Sequence, residues 1–249
     1  MTELWLVDLE RAAPALEALE AAEPRLAPDD HARARQFSDA HERRHRLAAY
    51  VAQRVALERI VGPGVRGTAF ARSANGKPRL AGGEAAFSLS HSDGMALIGV
   101  TRRGDIGVDL ERARPVRVAP RRRQLIVAAG AGLAGAPLDM AQGEAAFLQA
   151  WARLEACAKA QGRGLARLLA DVGVRGDGAR ASPARVAAKA RCIAEEAGLE
   201  VHDLELTPPL YGAVAREPMV ALPRVRTFPV AGSAIRALLA SRSTSRRPR

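Results

Sequence analysis

Aromatic residues are scarce and cysteine is nearly absent: two Trp, two Tyr, five Phe and two Cys in 249 residues. Cys157 and Cys192 cannot frame a disulfide-stapled fold and have no metal-ligand spacing, so they read as buried or inert thiols. No basic segment is interleaved with aromatics, which leaves little support for stacking on single-stranded nucleic acid. No apolar run reaches the roughly eighteen residues of a membrane span, and Met1 to Leu9 opens with acid instead of a basic region followed by a long apolar stretch. The expectation is a cytoplasmic protein without a membrane or nucleic-acid partner. Acid is also short, at 27 Asp and Glu against 38 Lys and Arg, giving a net charge of +11. Such a charge admits polyanions, acidic proteins and polyphosphate ligands without choosing among them. Part of the excess lies in the run Arg121, Arg122, Arg123, and part in a Ser/Pro/Arg tail, 241–249, which reads as frayed and solvated.

With 48% hydrophobic residues the chain can bury a real core, in one larger domain or two small lobes. Glu3 to Leu9 alternates like a strand, and a long Ala/Arg/Leu stretch from about Asp29 to Val61 has helical spacing, stops at Gly62, and carries most of the histidines. After Thr68 to Arg72 and the turn Asn75-Gly76-Lys77-Pro78 come three strand-like runs, Ala85 to Leu89, Met95 to Thr101 and Ile106 to Leu110, which suggest an antiparallel meander. Arg114-Pro115 closes this half. The second half repeats the theme: a helix from about Gln142 to Ala160, a strand near Leu169 to Val174, a Gly/Asp/Pro loop, a helix from Pro183 to Ala197, then strands at Leu199 to Leu206, Tyr211 to Arg216 and Met219 to Val225. The Ala/Gly-rich stretch Val127 to Pro137 reads equally as a loop or a poor helix. The fold class is α+β, two similar halves at 1–114 and 115–240 forming a pseudo-dimer within one chain.

Three clusters could carry chemistry. In Asp109-Leu110-Glu111 the carboxylates lie one residue apart, so on a strand they share a face while Val108 and Leu110 point to the core. Such a pair is either a wet strand face or a site for a hard cation such as Mg²⁺, which takes carboxylates, waters and substrate phosphates. In Trp151-Ala152-Arg153-Leu154-Glu155-Ala156-Cys157-Ala158-Lys159, Glu155 and Lys159 fall one helical turn apart, with Trp151 one turn before. They form an ordinary salt pair, or supply a third carboxylate for the cation and an ammonium for a phosphate. In Phe87-Ser88-Leu89-Ser90-His91-Ser92 the histidine between hydroxyls either caps a turn or donates to a phosphate oxygen. Lys77 on its turn can reach an anion as a point charge.

Taken in order, Gly76-Lys77-Pro78, Phe87 to Ser92, Gly107 to Glu111, Trp151 to Lys159 and Gly162-Arg163-Gly164-Leu165 resemble the phosphopantetheinyl transferase superfamily, the two-lobed type that activates peptide synthetases. The resemblance runs from about Arg33 to Leu165, with an echo at Tyr211 to Ala215. It implies two similar α/β lobes about a pseudo-twofold axis with coenzyme A and Mg²⁺ between them. It implies that Asp109, Glu111 and Glu155 ligate the metal, that Lys159 and His91 hold the pyrophosphate, that Lys77 and Ser90 sit by the nucleotide, and that Arg44 or Arg46 meets the 3′-phosphate. The implied activity is of the holo-acyl-carrier-protein synthase type: Glu155 takes the proton of a carrier serine, and a monomer serves an acyl or peptidyl carrier protein in secondary metabolism.

One position departs from the family pattern. Leu154 stands where the family has a lysine before the metal-binding glutamate, and Arg153 is expected to supply the missing cation. A degenerate relative that only binds coenzyme A or a carrier is the second reading, and a basic nucleic-acid binder the third.

Overall fold

The computed structural model describes residues 2–175, 181–219 and 221–241. The expected basic tail beyond Ser241 and the middle of the Gly/Asp/Pro loop, 176–180, lie outside them.

The chain opens with β1 (Thr2–Asp8), whose alternation buries Leu4 and Val7 on its two faces. Asp8 then caps α1 (Leu9–Ala22) by accepting the Arg11 N–H. The long helical stretch is two helices, α2 (Pro28–Ala34) and α3 (Ala40–Val61), because Asp39 starts a new helix by capping the Glu42 N–H. Buried Asp30 ties α2 to α3 through Arg54 at 2.7 Å. Two very short strands, β2 (Ala71–Arg72) and β3 (Pro78–Arg79), flank the Lys77 turn. The hairpin β4 (Ala86–Ser92) and β5 (Met95–Thr101) then joins β1 and the late strand β9 (Val225–Thr227) in a sheet ordered β4-β5-β1-β9.

The expected meander ends there. The third run, β6 (Ile106–Arg112), pairs with β8 (Leu210–Arg216) in a second sheet, β6-β8-β7, where β7 is Glu200–Asp203. Its apolar face, Ile106, Val108 and Leu110, packs against Leu4 and Leu97, so β6 lies across the first sheet instead of extending it. Hydroxyls tie β6 to β4: the Val108 and Arg112 amides donate to Ser88 and Ser92 Oγ at 3.0 and 3.1 Å.

Four helices back the second sheet: α4 (Pro120–Ala134), α5 (Glu144–Gln161), α6 (Leu165–Asp171) and α7 (Pro183–Glu196). The undecided Ala/Gly stretch lies largely in α4. Gly130 and Gly132 face the backbones of Ala150 and Ala187 so closely that a Cβ would clash, so these glycines serve helix crossing and not flexibility. The expected strand at Leu169 to Val174 is helical in its first part: Leu168 and Leu169 of α6 and Val172 beyond it are buried at helical spacing. The last expected strand, Met219 to Val225, is not where it was expected: β9 begins at its final residue, Val225, and runs on to Thr227, parallel to β1. A final helix, α8 (Gly232–Ala240), buries Ile235 in the core built by α1, α3, β1, β4 and β5. The molecule is thus α+β, with a helix layer on each of two small sheets and a third core between the sheets. Among the described residues no helix is long and apolar enough to cross a membrane.

Candidate functional site

The site is built where β6 meets α5. Gly107 has no room for a side chain, because a Cβ there would fall inside the envelope of the Ala156 carbonyl oxygen and the Ala160 nitrogen. This bare contact draws strand and helix together and brings the next residues on the same strand face, Asp109 and Glu111, under Glu155 and Lys159. Lys159 Nζ donates to Asp109 Oδ1 at 2.6 Å and to Ser90 Oγ at 3.1 Å, and the Ser90 hydroxyl donates to the same Asp109 oxygen at 2.7 Å. Asp109 is only 4% exposed, yet its second oxygen, Oδ2, has no hydrogen-bond partner among the described residues. Glu111 is clamped by Arg114.

Burial raises the Glu155 carboxyl above its ordinary value; Lys159 opposes the shift, and the charges of Asp109 and Glu111 add to it. Glu111 is raised in the same way, by burial first, with Asp109 adding and Arg114 opposing. Three carboxylates that repel one another, with a buried oxygen among them that has no partner among the described residues, have the donor chemistry of a hard divalent cation, although their oxygens do not all lie within 4.8 Å of one another.

Beside this cluster opens a cavity of about 380 Å³, walled by Tyr50, Phe70 and Phe87 and reached by Lys77, Glu155 and Lys159. Lys77 is among its lining residues. Its side chain is 7% exposed, its ammonium donates to Asp105 at 2.8 Å and to the Ala160 carbonyl at 2.6 Å, and burial lowers its pKa. His91 lies on the β4 face that carries Phe87 and Leu89. Burial is the main cause that pushes its pKa down to about 4, with Arg46 and Lys159 adding, so the ring is neutral at pH 7. Arg46 therefore stands near His91, stacked over Phe37 and paired with Glu42. Arg44 pairs with Glu17 of α1 through both nitrogens instead. Cys157 is buried, its thiol pushed up to about 12 by desolvation, and takes no part.

The structure overturns the expectation for Arg153. Two residues from Glu155 is about 200° around a helix. Arg153 accordingly leaves on the other side, 2% exposed, where it forks onto Asp203 with two bonds of 2.7 Å and donates to the Ala136 carbonyl at 2.8 Å. Leu154 is wholly buried, so nothing replaces the missing lysine there. Arg153→Ala is expected to lower stability by about 2–4 kcal/mol, discounted because Asp203 is 41% exposed and can turn to water. That corresponds to a fall on the order of 10 °C in thermal midpoint by calorimetry. An unchanged midpoint would deny Arg153 this structural role.

The motifs hold Phe87, Lys77 and Gly162 of the cavity wall, but part of the wall lies outside them. Tyr50, Gln53 and Phe70 carry no motif, and the one available signal was Gln53, a polar residue in the most apolar stretch of α3.

Among curated proteins the chain is similar to the 4′-phosphopantetheinyl transferase HetI of Nostoc sp., with 30% identity over 178 residues, 66% of this chain and 70% of that protein. No family model matches the chain.

Proposed function

Because the chain belongs to the 4′-phosphopantetheinyl transferase superfamily, we propose that it transfers 4′-phosphopantetheine from coenzyme A to a serine of an acyl or peptidyl carrier protein, releasing adenosine 3′,5′-bisphosphate. The observation that carries this reading is the carboxylate cluster of Asp109, Glu111 and Glu155, with its orphaned Oδ2, at the edge of a cavity reached by Lys159. These three carboxylates would hold Mg²⁺, which when bound neutralises charge on the pyrophosphate.

The attacking hydroxyl belongs to the carrier, so the enzyme needs no nucleophile of its own. Glu155, which lines the cavity, would take the serine proton. Lys159 and neutral His91 donate to phosphate oxygens, Lys159 giving up part of its hold on Asp109. Both candidates for the 3′-phosphate are ion-paired, Arg44 with Glu17 and Arg46 with Glu42, and Arg46 is the better placed because it stands near His91. Ser90 orients Asp109, and Lys77 walls the nucleotide. The net charge of +11 favours an acidic carrier as partner. The two sheet-and-helix layers serve as the family's lobes, and a cytoplasmic monomer of the holo-acyl-carrier-protein synthase type, acting in secondary metabolism, suffices.

A second reading, a catalytically silent binder of coenzyme A or carrier, is favoured by one observation: Arg153 does not stand in for the lysine absent at 154. One experiment separates the two. The protein is incubated with coenzyme A, Mg²⁺ and a panel of apo-carriers, and the carriers are weighed. A gain of the phosphopantetheine mass that EDTA abolishes is the expected result. Coenzyme A binding without any carrier modified would establish the second reading, and transfer insensitive to EDTA would remove the metal.

A further inference from the structure

Three of the five histidines lie in α2 and α3, and the proposed transfer uses none of them. His41 and His45 stand one turn apart on α3, their rings 4.1 Å apart, and both address one carboxylate oxygen of α1. His41 Nε2 is 2.9 Å from Glu10 Oε1, and His45 Nε2 is 3.3 Å from the same oxygen. One donor atom from each of the three residues lies within 4.8 Å of the other two. We propose that Glu10, His41 and His45 form a second divalent-metal site, suited to a borderline cation such as Zn²⁺ and independent of the transferase reading.

The donor chemistry selects the metal class. Two imidazoles and one carboxylate suit Zn²⁺, Co²⁺ and their neighbours, whereas Mg²⁺ prefers an all-oxygen shell and binds imidazole poorly. The scaffold is fixed before any ion arrives. Asp8 caps α1, the Leu9 N–H donates to Gly94 O at 2.8 Å, and Asp39 caps α3, so the first turns of both helices are held. The Asp93-Gly94 turn forms the floor: a Cβ on Gly94 would be 3.6 Å from Glu10 Cγ and 3.8 Å from His45 Cε1. Arg44, which acts electrostatically on Glu10, is neutralised by Glu17. Half of the site faces water, with Glu10 and His41 about 60% exposed and His45 8% exposed, leaving room for a solvent ligand.

The test uses untagged protein stripped with EDTA and dialysed. Zn²⁺ is titrated by calorimetry and Co²⁺ by visible absorption, each in excess Mg²⁺. The expected result is one equivalent of Zn²⁺ that Mg²⁺ does not displace and that survives in Asp109→Ala. His41→Ala, at an exposed position where the fold is safe, should weaken it at least about tenfold and bleach the Co²⁺ bands, since even outer-shell losses cost 10- to 100-fold. Glu10→Gln should weaken it as well, while His202→Ala, a distant exposed histidine, should not. Unchanged binding in His41→Ala, or loss of the equivalent in Asp109→Ala, would overturn the proposal; the latter would place the ion among the carboxylates instead.

Discussion

Asp109→Ala should lower kcat/KM for carrier modification by about a hundredfold or more, equivalent to roughly 2.7 kcal/mol of transition-state stabilisation, while the protein stays folded. The activity effect is large because Asp109 is bonded to Lys159, is coupled electrostatically to the other two carboxylates and is the most buried of the three residues. The effect on stability is small because two changes oppose each other. The substitution removes a buried oxygen that lacks a partner, a cost of about 1–3 kcal/mol in the native protein. It also strips Ser90 and Lys159 of their acceptor, although Lys159, 31% exposed, can turn to water or towards Glu155. Circular dichroism and the thermal midpoint should therefore lie near those of the native chain. Full activity in this variant would return Asp109 to an ordinary strand face.

Gly107→Ala should cost more in structure and as much in activity. The added methyl meets the backbone of α5 at two points, the Ala156 carbonyl and the Ala160 nitrogen, neither of which can rotate away. Relief requires β6 and α5 to separate by more than about 1 Å, given ordinary contact distances near 3.5 Å. Overpacking of this kind costs about 3 kcal/mol or more. The separation also draws Asp109 and Glu111 away from Glu155 and Lys159, and a displacement of about 1 Å is worth on the order of a hundredfold in rate. Denaturant unfolding with an activity assay on the remaining folded protein checks both parts. A variant with native stability would show that β6 and α5 are not in this contact.

The parts legible in the sequence were those whose signal is local. The alternation of β1 and β6, the stop of α3 at Gly62, and the one-turn spacing of Glu155 and Lys159 follow from period and punctuation alone, whereas the Asp39 cap that starts α3 is hidden within one long helical stretch. What failed depends on distant partners. The run from Leu169 to Val174 reads as a strand until α5 supplies the surface it packs on, and the Ala/Gly stretch stays undecided between loop and helix until Ala150 and Ala187 show why small residues are needed. β6 reads as the third strand of a meander because nothing nearby in sequence announces β8, a hundred residues on. Arg153 was misjudged for the same reason: its partner, Asp203, belongs to another element, and rotation about the helix axis outweighed the length of the side chain. The first helix and the last, α1 and α8, escaped notice altogether; α1 even carries a proline, Pro14.

The hydroxyl row on β4 gives β6 two unlike edges. Along β6 the Val108 and Arg112 amides turn towards Ser88 and Ser92, so by alternation those of Gly107, Asp109 and Glu111 turn towards β8. Amides of the first kind are guarded by side chains that can rotate, and those of the second by a backbone ladder. Neighbouring amide protons on one strand thus sense two separate openings: parting of the two layers exposes one set to exchange with solvent, while the other waits for the second sheet itself to unzip.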